Sequence, residues 1–161
     1  YTLSLHDALP IFGMIELTGE NVKEAIAQQL IKIFPNIKIY KEAKTTPEYP
    51  HFFVYQISVA DTEERKNYHL MSYAMEVRYR IKSDPSTDST LELNLDDMGT
   101  KLLQNFNVIS FGDEKIRVKE KNVEKVDGVL HFTFNIDILA KEISDEKSVK
   151  QNKMEVVIHG N

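Results

Sequence analysis

The sequence predicts a single α+β domain, a mostly antiparallel β-sheet with two amphipathic helices packed on one face. Three observations lead to this prediction. One segment alternates apolar and polar side chains with the period of a half-buried antiparallel strand. Two other segments repeat apolar residues at helical spacing. The 161 residues, of which 42% are hydrophobic and 28% charged, fit the size and composition of one globular domain.

The first thirteen residues are predicted to be foreign to the protein. Residues 2–11 read TLSLHDALPI, which is the translation of a widely used short-read sequencing adapter in one frame. The alternative is a secretory signal, which needs a basic start and an apolar core of at least about seven residues. His6 and Asp7 interrupt the apolar run, and no lysine or arginine precedes Lys23. We therefore expect the native chain to begin at Met14 and its α+β domain to span residues 14–142.

The first helix is predicted to begin at Thr18 and to end before Pro35. A threonine hydroxyl is a favourable N-cap, and proline disfavours helical backbone at the residue before it. Between these two positions, apolar residues recur every three or four places and give the helix one buried face. The residues at this spacing are Val22, Ala25, Ile26, Gln29, Leu30 and Ile33.

Three strands are predicted next. Residues 37–40 alternate, and after a proline-containing loop at 45–50 the residues Phe53, Tyr55, Ile57 and Val59 alternate again. A polar turn at 61–66 leads to the clearest strand of the chain, which has one packed and one solvated face. Its packed face is predicted to carry Tyr73, Met75, Val77, Tyr79 and Ile81, and its solvated face Ser72, Ala74, Glu76, Arg78 and Arg80.

The second helix is predicted from a capping box. Ser89 and Glu92 have the spacing at which a serine and a glutamate cap a helix N-terminus reciprocally. The helix is then expected to bury Leu91, Leu95, Met98 and Leu102. Gly99 lies inside it at a cost of about 1 kcal/mol relative to alanine. Docking on the sheet is expected to offset that cost.

The remaining strands are predicted at 108–111, at 116–121 and at 129–139. Gly112 and Asp113 form a turn between the first two, and residues 126–128 form a tight turn before the last. The last strand alternates along its whole length. Its inward residues are expected to be Leu130, Phe132, Phe134, Ile136 and Ile138.

A polar linker, residues 143–153, precedes a short C-terminal strand or tail, residues 154–161. Val156, Val157 and Ile158 have little predicted core left to join. This segment is therefore expected either to pair with a neighbouring subunit as an interface, or to return to its own sheet or fray. In the first case, deleting residues 143–161 weakens self-association and leaves the thermal transition intact. A large loss of melting temperature would place Val156 and Ile158 in the subunit's own core.

The sequence predicts no enzyme. The absence of cysteine excludes thiol nucleophiles, zinc-thiolate sites and iron–sulfur clusters. No phosphate-binding loop, dinucleotide-binding fingerprint, nucleophile elbow or zinc-protease motif is present. The histidines after residue 14 form no pair two or four residues apart, and no cofactor is predicted. They are His51, His69, His131 and His159.

Carboxylates offer only weak candidate metal sites. Glu92 and Asp96 share a helix face beside Asp97, but acidic residues are expected near a helix N-terminus for dipole reasons. Asp84 and Asp88 flank a polar loop that lacks the spacing of a calcium-binding hand. We therefore predict no metal at either place. A small hydrolase or ligand-binding domain stays a distant alternative if His131 and Asp137 were to meet a third polar group.

Charge and hydropathy restrict the partners. The net charge of −5 argues against a role in coating nucleic acid, and no apolar run approaches the roughly 20 residues of a membrane helix. One basic stripe is predicted to project from one face of a single strand. It faces a polyanion or an acidic partner, or else it is the solvated side of an edge strand. The stripe consists of Lys115, Arg117, Lys119 and Lys121.

The order of these elements resembles the tail terminator (tail completion) proteins of long-tailed bacteriophages and prophages. The resemblance spans residues 22–142 and begins with the helix that ends in Ile33-Phe34-Pro35. The strand His51-Phe-Phe-Val-Tyr55 and the long strand at 68–79 follow in the same order. The resemblance is strongest at VDGVLHFTFNID, residues 126–137, which is similar to the closing strand of that family.

The resemblance implies a structural subunit without catalytic residues or cofactors. Members form a homo-oligomeric ring, usually a hexamer, that caps polymerisation of the tail tube and joins the tail to the head connector. The implied partners are the tail tube protein, the sheath in contractile tails, and the connector or neck protein, with DNA only as cargo passing through the ring. The implied location is the host cytoplasm during assembly and the virion tail afterwards. Another neck, head-closure or baseplate subunit is the alternative.

Overall fold

A computed structural model describes residues 16–83, 89–143 and 153–157. The segment predicted to derive from an adapter, residues 1–13, lies outside these residues, as do Asp84, Asp88, Ile158 and His159. Within the described ranges the chain forms two helices and eight strands. The helices are α1 (Gly19–Ile33) and α2 (Leu91–Asn105). The strands are β1 (Lys38–Tyr40), β2 (His51–Arg65), β3 (Tyr68–Arg80), β4 (Val108–Phe111), β5 (Glu114–Arg117), β6 (Lys119–Val126), β7 (Val129–Ile143) and β8 (Lys153–Val156).

The main sheet has the strand order β1-β2-β3-β7-β6, and β8 pairs with the far end of β7. Only the short β1–β2 pair is parallel; the other pairs are antiparallel. The hairpin β4–β5 is a separate two-stranded sheet that contacts α1 and β7. The two helices pack over the same sheet. The predicted fold class, a mostly antiparallel α+β domain with two helices, is confirmed.

Helix α1 follows its sequence signals. The Thr18 hydroxyl accepts a hydrogen bond of 3.1 Å from the backbone N–H of Asn21, so the predicted N-cap is present. The helix ends at Ile33, two residues before Pro35, and its buried side is the predicted one. The buried residues are Val22, Ala25, Ile26, Ala27 and Leu30.

Helix α2 begins without the predicted capping box. Its N-cap residue is Thr90, whose backbone is already helical (φ −98°, ψ −7°) and whose side chain makes no capping hydrogen bond. A capping side chain needs an extended backbone at the N-cap, so the Ser89–Glu92 prediction is wrong. The predicted buried face is confirmed. Gly99 belongs to that face and packs against Val123 of β6.

The core lies between the helices and the sheet. All five predicted inward residues of β7 are buried, and the strand continues past the predicted end to Ile143. Phe52 is fully buried and its ring lies 5.4 Å from that of Phe34 and 5.2 Å from that of Tyr79. Burying each such side chain contributes about 1.5–3 kcal/mol. Helix α1 therefore packs on β2, and α2 packs on β6 and β7.

A β-bulge divides β2 into two halves. The register with β3 shifts between Gln56 and Ser58, so the alternation predicted from Phe53 to Val59 does not stay on one face. Phe53 pairs with the outward Arg78, whereas Val59 pairs with the inward Tyr73. Beyond the bulge, the core-side face of β2 carries Val59 and the acidic residues that follow it.

The C-terminal segment returns to its own sheet. Strand β8 pairs antiparallel with β7, and the register places Val156 opposite Ala140. Val156 is only 6% exposed and belongs to the core. The backbone N–H of Leu17 donates a 2.8 Å hydrogen bond to the Met154 carbonyl, which ties the chain before α1 to the same strand. Of the two placements expected for residues 154–161, the structure has the intramolecular one for the described part.

Candidate assembly interface

One edge of the main sheet is left open along β2. Strand β1 pairs only with His51, Phe52 and Phe53. From residue 54 to residue 65, which we call the open edge, the described chain supplies no ladder partner on that side. Ile57 is 57% exposed and Val59 is 44% exposed. An unpaired edge presents backbone N–H and C=O groups to any strand of suitable geometry, so the open edge is a candidate binding surface.

The core-side face of the open edge becomes acidic toward its tip. Val59, Asp61 and Glu63 pair with Tyr73, Met71 and His69 of β3. The Nδ1 atom of His69 lies 2.8 Å from Asp61 Oδ1, and its Nε2 atom lies 3.6 Å from Glu142 Oε2. The hydrogen bond to Asp61, helped by the charges of Glu142 and Glu63, raises the pKa of His69.

The opposite edge of the sheet is β6. This strand pairs with β7 on one side and has no ladder partner on the other within residues 16–83, 89–143 and 153–157. Val123 and Lys125 pair with inward residues of β7, which places both on the helix side of the sheet. Lys121 also reaches that side, because its Nζ atom donates to the Leu103 carbonyl at 2.6 Å. The core-side face of β6 is therefore basic.

The predicted basic stripe is not one surface. Lys115 and Arg117 lie on β5, whereas Lys119 and Lys121 lie on β6 after the break at Val118. The register shift between Lys119 and Asn122, with Glu120 at φ 50°, turns Lys119 and Lys121 toward opposite faces. The prediction that all four project from one strand is wrong for this reason.

The stripe residues have different partners. Lys119 forms a 2.9 Å ion pair with Asp137 on the outer face, and this contact lowers the pKa of Asp137. Lys121 donates to the Leu103 carbonyl and, at 2.5 Å, to Asn107 Oδ1, both of which are neutral acceptors. Lys115 and Arg117 are exposed and make no ion pair in the described part of the chain.

The acidic residues of α2 are engaged by lysines. Lys125 Nζ lies 2.5 Å from Glu92 and 2.6 Å from Asp96, and these hydrogen bonds raise the pKa of Lys125. Asp97 pairs with Lys101 one turn later at 2.8 Å. Glu92 and Asp96 thereby tie α2 to β6. In the part of the chain that the structure describes, no group of three or more His, Asp or Glu side chains is placed to hold a metal ion.

His131 and Asp137 do not converge on one site. His131 Nδ1 lies 2.8 Å from Glu76 Oε1 on the outer face, and Glu76 Oε2 accepts a 2.7 Å hydrogen bond from Arg78. Arg78 also stacks over the ring of Tyr55, with 4.3 Å to the ring centre. Sequence reasoning missed the Glu76–His131 contact because 55 residues separate the pair. The Glu76–His131 contact links the side chains of β3 and β7, so this network stabilises the sheet.

An aromatic group covers the outer face at the base of β2. His51 is buried among the rings of Tyr40, Tyr49 and Phe53, at centre distances of 4.8–5.7 Å. Its Nδ1 atom donates a 2.8 Å hydrogen bond to the Glu48 carbonyl. Burial lowers the pKa of His51, which keeps the ring neutral near neutral pH. Both faces of the sheet are therefore packed at the base of β2, unlike at the open edge.

Comparison with protein families identifies the chain. The family model described as phage tail terminator protein matches residues 21–150. The chain belongs to this family. The resemblance seen in the order of its elements is thereby confirmed, and the tail terminator is a structural component of phage tail assembly whose place is the virion tail and whose partners are other tail components. A search of curated proteins returned no match.

Neither α1 nor α2 is long and apolar enough to cross a membrane, and no other helix occurs among the described residues. The open edge itself was not recognised from the sequence. A signal for it was present, since the short strand predicted at residues 37–40 could cover only a fraction of the long strand that follows it.

Proposed function

We propose that this tail terminator forms a closed homo-oligomeric ring, a hexamer, that caps the tail tube and joins it to the head connector. The observation that carries the proposal is the open edge, which leaves residues 54–65 of β2 unpaired beside exposed Ile57 and Val59. A family member with such an edge has a surface suited to repeated subunit contacts. Assembly takes place in the host cytoplasm, and DNA passes through the finished ring as cargo.

A ring needs contacts in which two different patches meet. Such a heterologous contact closes when the rotation between subunits divides a full turn, and otherwise it produces a filament. The single sheet of this chain supplies two different edges, β2 and β6, on its opposite sides. Strand β8 stays within its own subunit and completes the edge of β7, so it is left out of the proposed contact.

The hairpin β4–β5 is proposed to meet a neighbouring tail or neck component. It projects on the helix side of the sheet, and its exposed Lys115 and Arg117 suit an acidic protein surface. Reversing both charges should leave the ring intact and weaken its docking to tube or connector. Loss of the ring itself in that variant would contradict this assignment.

The experiment that tests the proposal combines this chain with the tail tube protein of the same phage. Native mass spectrometry should show one closed species, and electron micrographs should show tubes that stop elongating with a ring at one end. The control is the same amount of a tail-unrelated protein of similar charge. Tubes that grow to the same length with and without this chain would contradict the capping function.

A further inference from the structure

We propose that the open edge of β2 pairs with the edge strand β6 of a second copy of this chain, so that neighbouring subunits share one continuous antiparallel sheet. The inference rests on the proposed ring and names its contact. It follows from three properties of the two edges, which are strand direction, the side chains on the core-side face, and the charges that each edge already neutralises.

Strand direction sets the polarity of the contact. In one subunit β3 is antiparallel to β2, β7 is antiparallel to β3, and β6 is antiparallel to β7. Strands β2 and β6 therefore run in opposite directions. Val59 lies in the row of Ile136 of β7 and Val123 in the row of Phe132, so a ring that joins them has its axis inclined to the strands, as in closed sheets. The rotation still keeps the two strands opposed, so β2 of one subunit meets β6 of the next in antiparallel orientation. All ladders of the main sheet except the short β1–β2 pair are antiparallel.

The side chains on the core-side faces are complementary. The β2 edge carries Val59 and then Asp61, whereas the β6 edge carries Val123 and, two residues earlier, Lys121. Antiparallel pairing with Val59 opposite Val123 places Asp61 opposite Lys121. Directly opposed apolar and opposite-charge pairs each stabilise a sheet by roughly 0.2–1 kcal/mol. Val59 is 44% exposed in the single subunit, so it gains burial on pairing.

The charges already neutralised within one subunit select this orientation. Lys125 lies between Glu92 and Asp96, so an incoming carboxylate there would meet two negative charges. Lys121 is bonded only to neutral oxygens in the described structure, and its ammonium group retains a third N–H donor. A parallel arrangement would bring Asp61 to Lys125, whereas the antiparallel one brings it to Lys121.

The same charges oppose pairing of identical edges. Two β6 edges centred on Val123 would place Lys121 opposite Lys125, and two β2 edges centred on Asp61 would place that carboxylate opposite its copy. Like charges directly opposite each other destabilise a sheet. The mixed contact is therefore favoured over either symmetric one, which is how repulsive elements give specificity. A mixed contact is heterologous, and it builds a ring where a symmetric contact would stop at a dimer.

A disulfide test follows from the lack of native cysteine. Within one subunit, positions 59 and 123 are three strand spacings apart across the sheet and four residues apart along it, which together is roughly 20 Å. A disulfide requires Cα atoms within about 7 Å, so Val59→Cys and Val123→Cys in one chain cannot bond to each other. Under mild oxidation the double variant should give a ladder of covalent oligomers, up to the ring size, on a non-reducing denaturing gel. With reductant, the same gel should show only monomer.

Single variants and a matched control decide the assignment. Leu93→Cys with Val123→Cys carries the same number of thiols, one of them on the exposed side of α2, and should form no covalent oligomers. Neither Val59→Cys nor Val123→Cys alone should cross-link. Dimers from Val59→Cys alone would show a symmetric β2 contact and overturn the proposal. A double variant that forms rings by native mass spectrometry without a ladder would overturn the edge pairing and leave the ring function standing.

Charge exchange gives a second readout that needs no cysteine. Asp61→Lys should weaken ring assembly by at least about tenfold in the concentration for half-assembly, equal to about 1.4 kcal/mol. Adding Lys121→Asp should restore most of that loss if the two residues face each other. A double variant no better than Asp61→Lys would overturn the pairing. A wild-type chain that stays monomeric even with the tail tube protein would contradict the proposed function as well.

Discussion

The two halves of strand β2 differ in what covers them. At its base, Phe52 and Val54 lie under the helices and His51 and Phe53 lie under an aromatic group, so both faces are packed. Beyond the bulge at Gln56, every β2 side chain to Arg65 is exposed. One strand thus has a half that holds the fold together and a half that contributes little to it. The exposed half is free to serve assembly.

This difference separates stability from association in a way that substitutions can measure. Changes at the base of β2 should lower the free energy of unfolding, and assembly should fail only because the fold fails. Changes at the open edge should leave the free energy of unfolding nearly unchanged and reduce self-association. The following predictions run from the largest expected effect to the smallest.

Truncating a buried side chain at the base of β2 should cause the largest loss in the free energy of unfolding. Phe52→Ala removes a fully buried ring that contacts Phe34 and Tyr79, and such substitutions cost about 3–5 kcal/mol. Chemical denaturation followed by circular dichroism measures the change. Tyr55→Ala, on the partly exposed outer face three residues later, is the matched control and should cost much less. Equal losses from both would show that the base is not more tightly packed than its surroundings.

Removing residues 153–161 should lower stability, contrary to the expectation that a C-terminal deletion affects association alone. The deletion uncovers the edge of β7 and removes buried Val156, whose side chain alone contributes about 1.5–3 kcal/mol. The melting temperature should fall by roughly 2–4 °C for each kcal/mol lost. A truncation after Val157 keeps β8 and should retain the transition. An unchanged melting temperature in the longer deletion would return β8 to the list of candidate interfaces.

The pKa values of His51 in β2 and His69 in β3 should be shifted in opposite directions. Burial lowers the pKa of His51, so its contribution to stability is complete above about pH 6.5 and is lost as the pH falls through the lowered value. Asp61, Glu63 and Glu142 face His69 and raise its pKa, so its contribution is complete below about pH 6.5 and is lost as the pH rises through the raised value.

Proton NMR titration of the imidazole rings measures both pKa values. His51→Phe should remove the loss of stability on the acidic side, and His69→Gln should remove the loss on the alkaline side. If both histidines titrated with the same ordinary pKa, the base of β2 and the open edge would not differ in burial and charge as described.

Gly99→Ala should stabilise the covered part of the sheet by a small amount. A Cβ atom at this position would lie 3.5 Å from Val123 and 3.6 Å from Leu130, which are ordinary contact distances. Alanine is better than glycine inside a helix by roughly 0.8–1 kcal/mol. Differential scanning calorimetry should therefore show a higher melting temperature with unchanged ring assembly. A loss of stability would mean that the space between α2, Val123 and Leu130 does not accept the added methyl group.

Much of the fold follows from the sequence because local signals and burial agree. Thr18 and Pro35 mark the ends of α1, and the alternation from Leu130 to Ile138 marks β7. The errors in the strands arose where one residue changed the register. The extra residue near Gln56 and the left-handed backbone at Glu120 are both invisible to a period-two pattern. They determine which side chains the two sheet edges present.

The candidate interface was harder to predict than the fold, because it depends on what a strand lacks. The alternation of Ile57 and Val59 predicts a strand but does not show that no neighbour covers it. The basic residues were noticed, yet their separation depends on Lys119 meeting Asp137 and Lys121 meeting Leu103, contacts 18 residues apart. A family resemblance supplied the role in the tail, and only the sheet order supplied the edges.

The most direct test of the account compares two exposed positions. Val59→Lys places a charge on the open edge, and Leu93→Lys places the same charge on the exposed side of α2, where the wild-type residue is 69% exposed. Both variants should unfold within about 0.5 kcal/mol of wild type, as exposed substitutions usually do. Native mass spectrometry should show rings for Leu93→Lys and dissociated subunits for Val59→Lys. Rings of unchanged stability in Val59→Lys would contradict the claim that this edge assembles the protein.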